Sequence, residues 1–174
     1  MKLEGKVALV TGSSRGVGKA VALGFAASGA DVIVNYTSNQ TAADNVVSEI
    51  QSMGRSAVAV KADVAVKADV ERLVNTAAEK FGKLDVLVNN AGFTRPAMMV
   101  KMSEDQWDQV VDIHLKGAFM CSQAAGKLMK TQNSGKIINV TSVAGIVGTV
   151  GQINYSAAKG GIISMTKSIA REMA

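Results

Sequence analysis

The feature that most limits the fold of this chain is a rhythm of five short, almost unbroken apolar runs, each separated from the next by a segment long enough for a helix. The runs, rich in β-branched residues, are 7–10, 32–34, 57–60, 84–88 and 137–140. A strand with one wet face alternates apolar and polar residues. These do not, as expected where helices cover both faces of a parallel sheet. The intervening segments suit crossover helices, which hairpins would not need, and are expected near 16–28, 40–53, 67–81, 104–129 and 151–174. Ser103 and Gln106 have the spacing of a capping box at the start of the fourth. The expected fold is therefore α/β: a doubly wound, Rossmann-type parallel sheet in three α/β/α layers, with its ligand crevice beyond the carboxyl ends of the strands. Residues 1–174 fit one dinucleotide-binding domain, since a domain of this size buries roughly 70% of its unfolded surface.

Composition excludes several other classes. Nineteen basic residues against fourteen acidic give +5, but they are scattered and few aromatics accompany them. This is no nucleic-acid footprint and suits a polyanionic small molecule better. A single cysteine, Cys121, forms no internal disulfide, so cytoplasm is the default compartment. One cysteine and one histidine also make a metal site improbable. The longest uncharged stretch, 137–158, is broken by Gly145, Gly148 and Gly151 and carries amides and hydroxyls that hydrocarbon would leave unsatisfied, so no membrane span is expected. Residues 1–6 do not resemble a signal peptide.

The motifs fall at strand ends. After the first strand comes Thr11-Gly12-Ser13-Ser14-Arg15-Gly16-Val17-Gly18. Glycines let a backbone turn tightly beside a pyrophosphate, and the following helix aims its free N–H groups at the anion. At the end of the second strand, where an acidic residue would bind the ribose 2′-hydroxyl of NAD, stand Asn35 and Tyr36. With no carboxylate to repel a 2′-phosphate, and with Arg15 able to grip one, NADP(H) is favoured. Tyr155 and Lys159 share one face of a helix, one turn apart. An ammonium there favours the ionised form of the phenol, which otherwise releases its proton only near pH 10. Ser142, at the end of the fifth strand, is placed to orient a substrate oxygen.

Taken with Asp63-Val64 after the third strand and Asn89-Asn90-Ala91-Gly92 after the fourth, these motifs resemble the short-chain dehydrogenase/reductase family along essentially the whole chain. Within it, residues 34–36, 136–142 and 151–159 look most like 3-oxoacyl-(acyl carrier protein) reductases and their acetoacetyl-CoA reductase relatives. The resemblance implies NADPH-dependent reduction of a small-molecule or carrier-bound 3-oxoacyl thioester. A sugar, steroid or xenobiotic ketone, or a truncated non-catalytic nucleotide-binding module, is the alternative. Tyr155 would protonate the carbonyl oxygen, Ser142 hold it, and Lys159 bind the nicotinamide ribose. Gly12, Ser14, Arg15, Gly16 and Val17 would line the phosphate and adenosine end, Asp63 and Val64 the adenine, and Asn89, Ala91 and Gly92 the ribose and nicotinamide. A homo-oligomer, tetramer or dimer, is implied.

Two departures from the family pattern stand out. His114 occupies the place of an asparagine thought to kink the fourth helix and anchor a relay water. It is expected either to pass a proton itself or to be idle. The chain also stops at Ala174, where family members continue through two more strands, so a sheet lacking those strands and a fragment of a longer protein are expected. Met98, Met99 and Met102 could line an acyl chain or fill core gaps. Trp107 is expected to pack, and Cys121 to be buried and inert.

Overall fold

The computed structural model describes residues 2–174. Five strands, β1 (Val7–Val10), β2 (Asp31–Tyr36), β3 (Ala57–Lys61), β4 (Val86–Asn89) and β5 (Lys136–Asn139), form one parallel sheet in the order β3-β2-β1-β4-β5. The chain winds outward from β1 to β3 and then returns to place β4 on the other side of β1. The strand order therefore reverses between β1 and β4, the point at which such sheets open a crevice. Val10 stands level with Val34 of β2 and Val88 of β4; β4 ends one residue beyond that level and β2 two.

Because successive side chains of a strand face opposite ways, the unbroken apolar runs feed two cores. Ala8, Val10, Val32 and Val34 pack against α1 (Gly16–Ala27) and α2 (Gln40–Ser52). Val7, Leu9, Ile33 and Leu87 pack against α3 (Lys67–Phe81) and a later helix, α5 (Gly117–Gln132). The three expected layers result. Leu9, Ile33, Leu73 and Leu87 are fully buried, and cutting any one back to alanine costs about 2–5 kcal/mol. Local chemistry ends the helices where they should end. α3 stops at Gly82 and α5 at Asn133, both in the left-handed conformation that closes a C-terminus.

The main difference from the sequence expectation lies in the fourth helix. Residues 104–129 are not one α-helix but α4 (Glu104–Val111), a π-helical turn (Asp112–Lys116) and α5. The capping box of Ser103 and Gln106 opens α4 as expected, each side chain bonding the other's backbone N–H. A π turn adds a residue without breaking the helix, so the apolar periodicity barely registers it. A short helix, α6 (Ala144–Val147), lies in the glycine-rich stretch that offered no helical period. The last helix, α7 (Ile153–Glu172), starts two residues after Gly151, whose φ of +73° lies outside helical geometry. β4 begins at Val86 rather than at Leu84, whose N–H and carbonyl bond the Gln132 side chain instead of a strand. β5 is less covered than its apolar run suggested. It lies at the sheet edge, and Ile138 is half-exposed.

Candidate active site

A groove of about 380 Å³ lies over the carboxyl ends of β1 and β2. Its floor is the glycine turn, its walls the segments 35–39 and 90–93. Gly12 and Gly16 have φ of +63° and +57°, conformations that a side chain resists. A Cβ on Gly12 would stand 2.9 Å from Ala91 Cα; on Gly18 it would overlap the Gly12 carbonyl oxygen and lie 2.6 Å from Asn90 Nδ2. Two loops from opposite sides of the switch point therefore touch through bare backbone. α1 opens at Arg15 with no side chain capping its first-turn N–H groups, which leaves these donors for an anion. The Arg15 side chain is exposed and in no ion pair among the described residues. A cradle of close glycines, an uncapped helix start and a free guanidinium fit a dinucleotide pyrophosphate.

Buried hydrogen bonds hold this cradle. Thr11 Oγ1 donates to the Val88 carbonyl and accepts from the N–H groups of Asn90 and Ala91, at 2.9 and 3.0 Å. Asn90 Nδ2 returns a bond to the Thr11 carbonyl at 3.0 Å. Asn35, expected to meet the cofactor, lines the groove, and its amide is also bonded within the fold. Its Oδ1 accepts the Gly12 N–H at 2.9 Å and its Nδ2 donates to the Ala62 carbonyl at 3.0 Å, so it sets the glycine turn. Tyr36 also lines the groove, with most of its surface buried. Asp63 is exposed, with Oδ1 accepting the Ala65 N–H, and Val64 is buried on the groove wall. Ser14, Gly16, Val17, Ala91 and Gly92 all line the groove.

Tyr155 and Lys159 meet on α7 as their spacing requires. Lys159 Nζ lies 5.6 Å from the centre of the Tyr155 ring and donates to the Val140 carbonyl at 2.7 Å. Burial pushes its pKa down to about 8. Ser142 accepts the Ala144 N–H at 3.2 Å and keeps its own proton free to donate. Its segment is pressed on α7: Thr141 Oγ1 bonds the Lys159 carbonyl at 2.9 Å, and a Cβ on Gly145 would stand 2.7 Å from Gly160 N. His114 lies within the π turn, 5% exposed, edge-on to Tyr155 with ring centres 5.1 Å apart. Its Nε2 lies 2.8 Å from the Phe93 carbonyl, which can only accept, so Nε2 carries the proton. Burial pulls the pKa down to about 4, aided by the charge of Lys159. Of the two expectations for His114, passing a proton or standing idle, neither is decided by this burial, which favours the neutral imidazole near neutral pH. Its ring also abuts Gly92, where any Cβ would overlap it, so the Tyr155, Lys159 and His114 cluster and the groove wall are in direct contact.

Residues 6–174 match the family model described as short chain dehydrogenase. The chain belongs to the short-chain dehydrogenase family. A relative from Synechocystis named 3-oxoacyl-[acyl-carrier-protein] reductase is 53% identical over 172 residues, covering 99% of this chain and 70% of that protein. One of the same name from Staphylococcus aureus is 48% identical over 169 residues, 97% of this chain and 69% of that protein. A short chain dehydrogenase structure from Mycobacterium avium superposes with a TM-score of 0.94 at 43% identity, covering 99% of this chain and 64% of the other. A second structure, a putative short-chain alcohol dehydrogenase from Sinorhizobium meliloti, gives 0.95 at 39%, covering 98% and 68%. Membership places this short-chain dehydrogenase among oxidoreductases that act at CH–OH and C=O groups with a nicotinamide cofactor.

Three residues of the site carried no sequence expectation of their own. Thr11 and Asn90 join the two loops, and their position inside the glycine turn and the Asn-Asn-Ala-Gly motif was the available signal. Asn154 is fully buried, with Nδ2 donating to the carbonyls of Arg95 and Gln106 at 3.0 and 2.8 Å, and it anchors the first turn of α7 beside Tyr155. Two expectations for residues outside the site shift. Met98 and Met99 are well exposed rather than filling a core, and Trp107 is 37% exposed. Cys121 is buried as expected, its thiol pushed up to about 12 by burial and so unreactive. No helix of the described residues is long and apolar enough to cross a membrane.

Proposed function

We propose that this short-chain dehydrogenase reduces the ketone of a 3-oxoacyl thioester, carried on acyl carrier protein or coenzyme A, to the 3-hydroxyacyl thioester at the expense of NADPH. The observation that carries the reading is the buried Lys159 ammonium beside the Tyr155 ring, linked through His114 to Gly92 on the wall of the glycine-turn groove. NADPH, when bound, supplies hydride to the carbonyl carbon. Tyr155 gives its hydroxyl proton to the carbonyl oxygen as the new C–H bond forms, and Ser142 Oγ–H donates to the same oxygen, opposing the charge that builds there. Lys159 has one N–H bound to Val140 and others left for the nicotinamide ribose. Gly12, Ser14, Gly16 and Val17 seat the pyrophosphate and adenosine, Arg15 the 2′-phosphate, and Val64, Ala91 and Gly92 line the cofactor's path.

The acyl thioester is favoured over a sugar by the rim of the site. Met98, Met99 and Val100 on one side, and Val147 and Val150 on the other, are exposed apolar side chains, and the two segments are joined by the Ala97 N–H to Gly151 carbonyl bond at 2.9 Å. Such a rim suits an alkyl chain and offers little to hydroxyl groups. The names of the two relatives agree. The same reading makes residues 1–174 a single dinucleotide-binding domain, cytoplasmic, and part of a homo-oligomer in the working protein.

The test follows NADPH oxidation with acetoacetyl-CoA beside a ketose and a steroid ketone, with NADPH binding measured in parallel. Oxidation with the thioester alone supports the proposal. Binding without oxidation of NADPH by any ketone would make the chain a nucleotide-binding module instead.

A further inference from the structure

The first turn of α7 is not held by ordinary capping. Its N-cap residue, Gln152, makes no side-chain cap bond, and no acidic residue stands in the turn. The fully buried amide of Asn154 takes over that task, with partners far back in the chain. Nδ2 donates to the Arg95 carbonyl at 3.0 Å and to the Gln106 carbonyl at 2.8 Å, and Oδ1 accepts the Tyr155 N–H at 2.8 Å. Both hydrogens and the oxygen are thereby used. Turning the amide over would set its oxygen against two carbonyls and its hydrogens against an N–H, so the orientation is fixed. The partners are themselves held. Gln106 belongs to the capping box that opens α4, and Arg95 lies two residues before Ala97, whose N–H bonds the Gly151 carbonyl at 2.9 Å.

The two side chains of α7 that the proposed mechanism uses are anchored separately. Lys159 is tied to the segment after β5. Its Nζ donates to the Val140 carbonyl at 2.7 Å, its own carbonyl accepts from Thr141 Oγ1 at 2.9 Å, and Gly145 packs against the backbone of Gly160. For Tyr155 the anchors are the edge contact of its ring with His114 and the bond from its N–H to Asn154 Oδ1. We propose that Asn154 is a positioning residue for the ketone reduction. It fixes the tilt of the first turn of α7 against α4 and the 95–97 segment, and with it the distance from the Tyr155 hydroxyl to the substrate oxygen beside Ser142. This role rests on the reduction proposed above. Because Lys159 and the glycine-turn groove keep anchors of their own, losing Asn154 moves the phenol and spares the cofactor. A proton donor displaced by about 1 Å costs up to about 10²-fold in rate.

The test measures kcat with acetoacetyl-CoA, whose acyl group ends one carbon beyond the ketone and so owes little to the apolar rim. Asn154→Ala is expected to lower kcat about 10- to 100-fold while NADPH affinity stays within about twofold. The decisive comparison adds Tyr155→Phe. With the hydroxyl gone there is nothing left to position, so Asn154→Ala should cost less than about twofold in that background, whereas an amide that serves stability alone would cost the same in both. Unchanged kcat in Asn154→Ala, or an equal loss in both backgrounds, would overturn the proposal. Should the alanine variant fail to fold, Asn154→Ser takes its place, since serine keeps an acceptor near the Tyr155 N–H but is too short to reach both carbonyls. A crystal structure of the variant gives the same reading without turnover. The Tyr155 hydroxyl should stand about 1 Å or more from its wild-type place relative to Ser142 Oγ, and a phenol that has not moved would overturn the proposal. If the wild-type chain reduces no ketone, the proposed function fails by itself, and the position of the phenol still decides the role of Asn154.

Discussion

Glycine to alanine at two positions of the same helix should have opposite consequences. In α1, a Cβ on Gly18 would overlap the Gly12 carbonyl and come within 2.6 Å of Asn90 Nδ2 and 2.9 Å of Ser13 Cα. Two of these three obstacles are backbone, so relief requires the glycine turn to move off the 90–92 loop. Overpacking costs about 1–3 kcal/mol, and losing the Asn90 bonds to Thr11 and Gly12 adds about 1 kcal/mol. A loss of about 2–4 kcal/mol at roughly 2–4 °C per kcal/mol for this chain length lowers Tm by about 5–15 °C. The displaced turn is also the pyrophosphate cradle, so NADPH affinity should fall by at least about tenfold. Gly24, six residues along, is exposed and meets nothing within 4 Å. Gly24→Ala should stabilise by about 0.5–1 kcal/mol and leave affinity unchanged. Thermal melts and fluorescence titration with NADPH read both variants. A Gly18→Ala protein that melts and binds like the parent would refute the close loop contact from which the cradle is built.

Arg15→Ala should weaken NADPH by roughly tenfold while leaving NADH within about twofold, since a guanidinium on a phosphate is worth about 1.5 kcal/mol even when exposed; equal loss for both cofactors would show that Arg15 does not meet the 2′-phosphate. Stability should fall as pH drops through His114. Its pKa is depressed in the folded chain from 6.5 to about 4, so above 6.5 there is no penalty, and below about 4 the folded state bears the full cost of burying the cation, roughly 3 kcal/mol. Urea melts of the chain and of His114→Asn between pH 7 and 4 check this, because only the parent should carry that slope. Lys159 acts on the other side of neutrality. Its folded pKa of about 8 lies below the ordinary 10.5, so its contribution destabilises the fold below pH 8 and fades as pH rises through 10.5. Lys159→Met should remove this rise and, by the proposed mechanism, sharply lower kcat.

Much of this was legible in the sequence, and for identifiable reasons. The strands showed because a parallel sheet buried on both faces demands unbroken runs, and residues such as Val7–Val10 have no other use. The glycine turn showed because φ near +60° beside another backbone admits little else than glycine at position 12. The Tyr155 and Lys159 pair showed because four residues make one helical turn. What stayed hidden depends on contacts between segments far apart in the chain. Asn35 reads as a cofactor contact from its place at the end of β2, but nothing in the sequence signals that its amide also bonds Gly12 and Ala62 and so sets the glycine turn. The π turn around His114 leaves no mark on a periodicity of three to four residues. Neither the neutrality of that imidazole nor which of its nitrogens carries the proton could be read until Phe93 and Lys159 were seen around it.

The most direct test of the whole account is the rate of NADPH oxidation with acetoacetyl-CoA for the chain, and for any longer protein that contains it, beside their Tyr155→Phe variants. Wild-type turnover that falls by about 10²–10⁴ on removal of one hydroxyl, with NADPH still bound, is the predicted result. Turnover that survives unchanged in the phenylalanine variant would contradict it, since the proton would then come from somewhere other than the phenol beside Lys159.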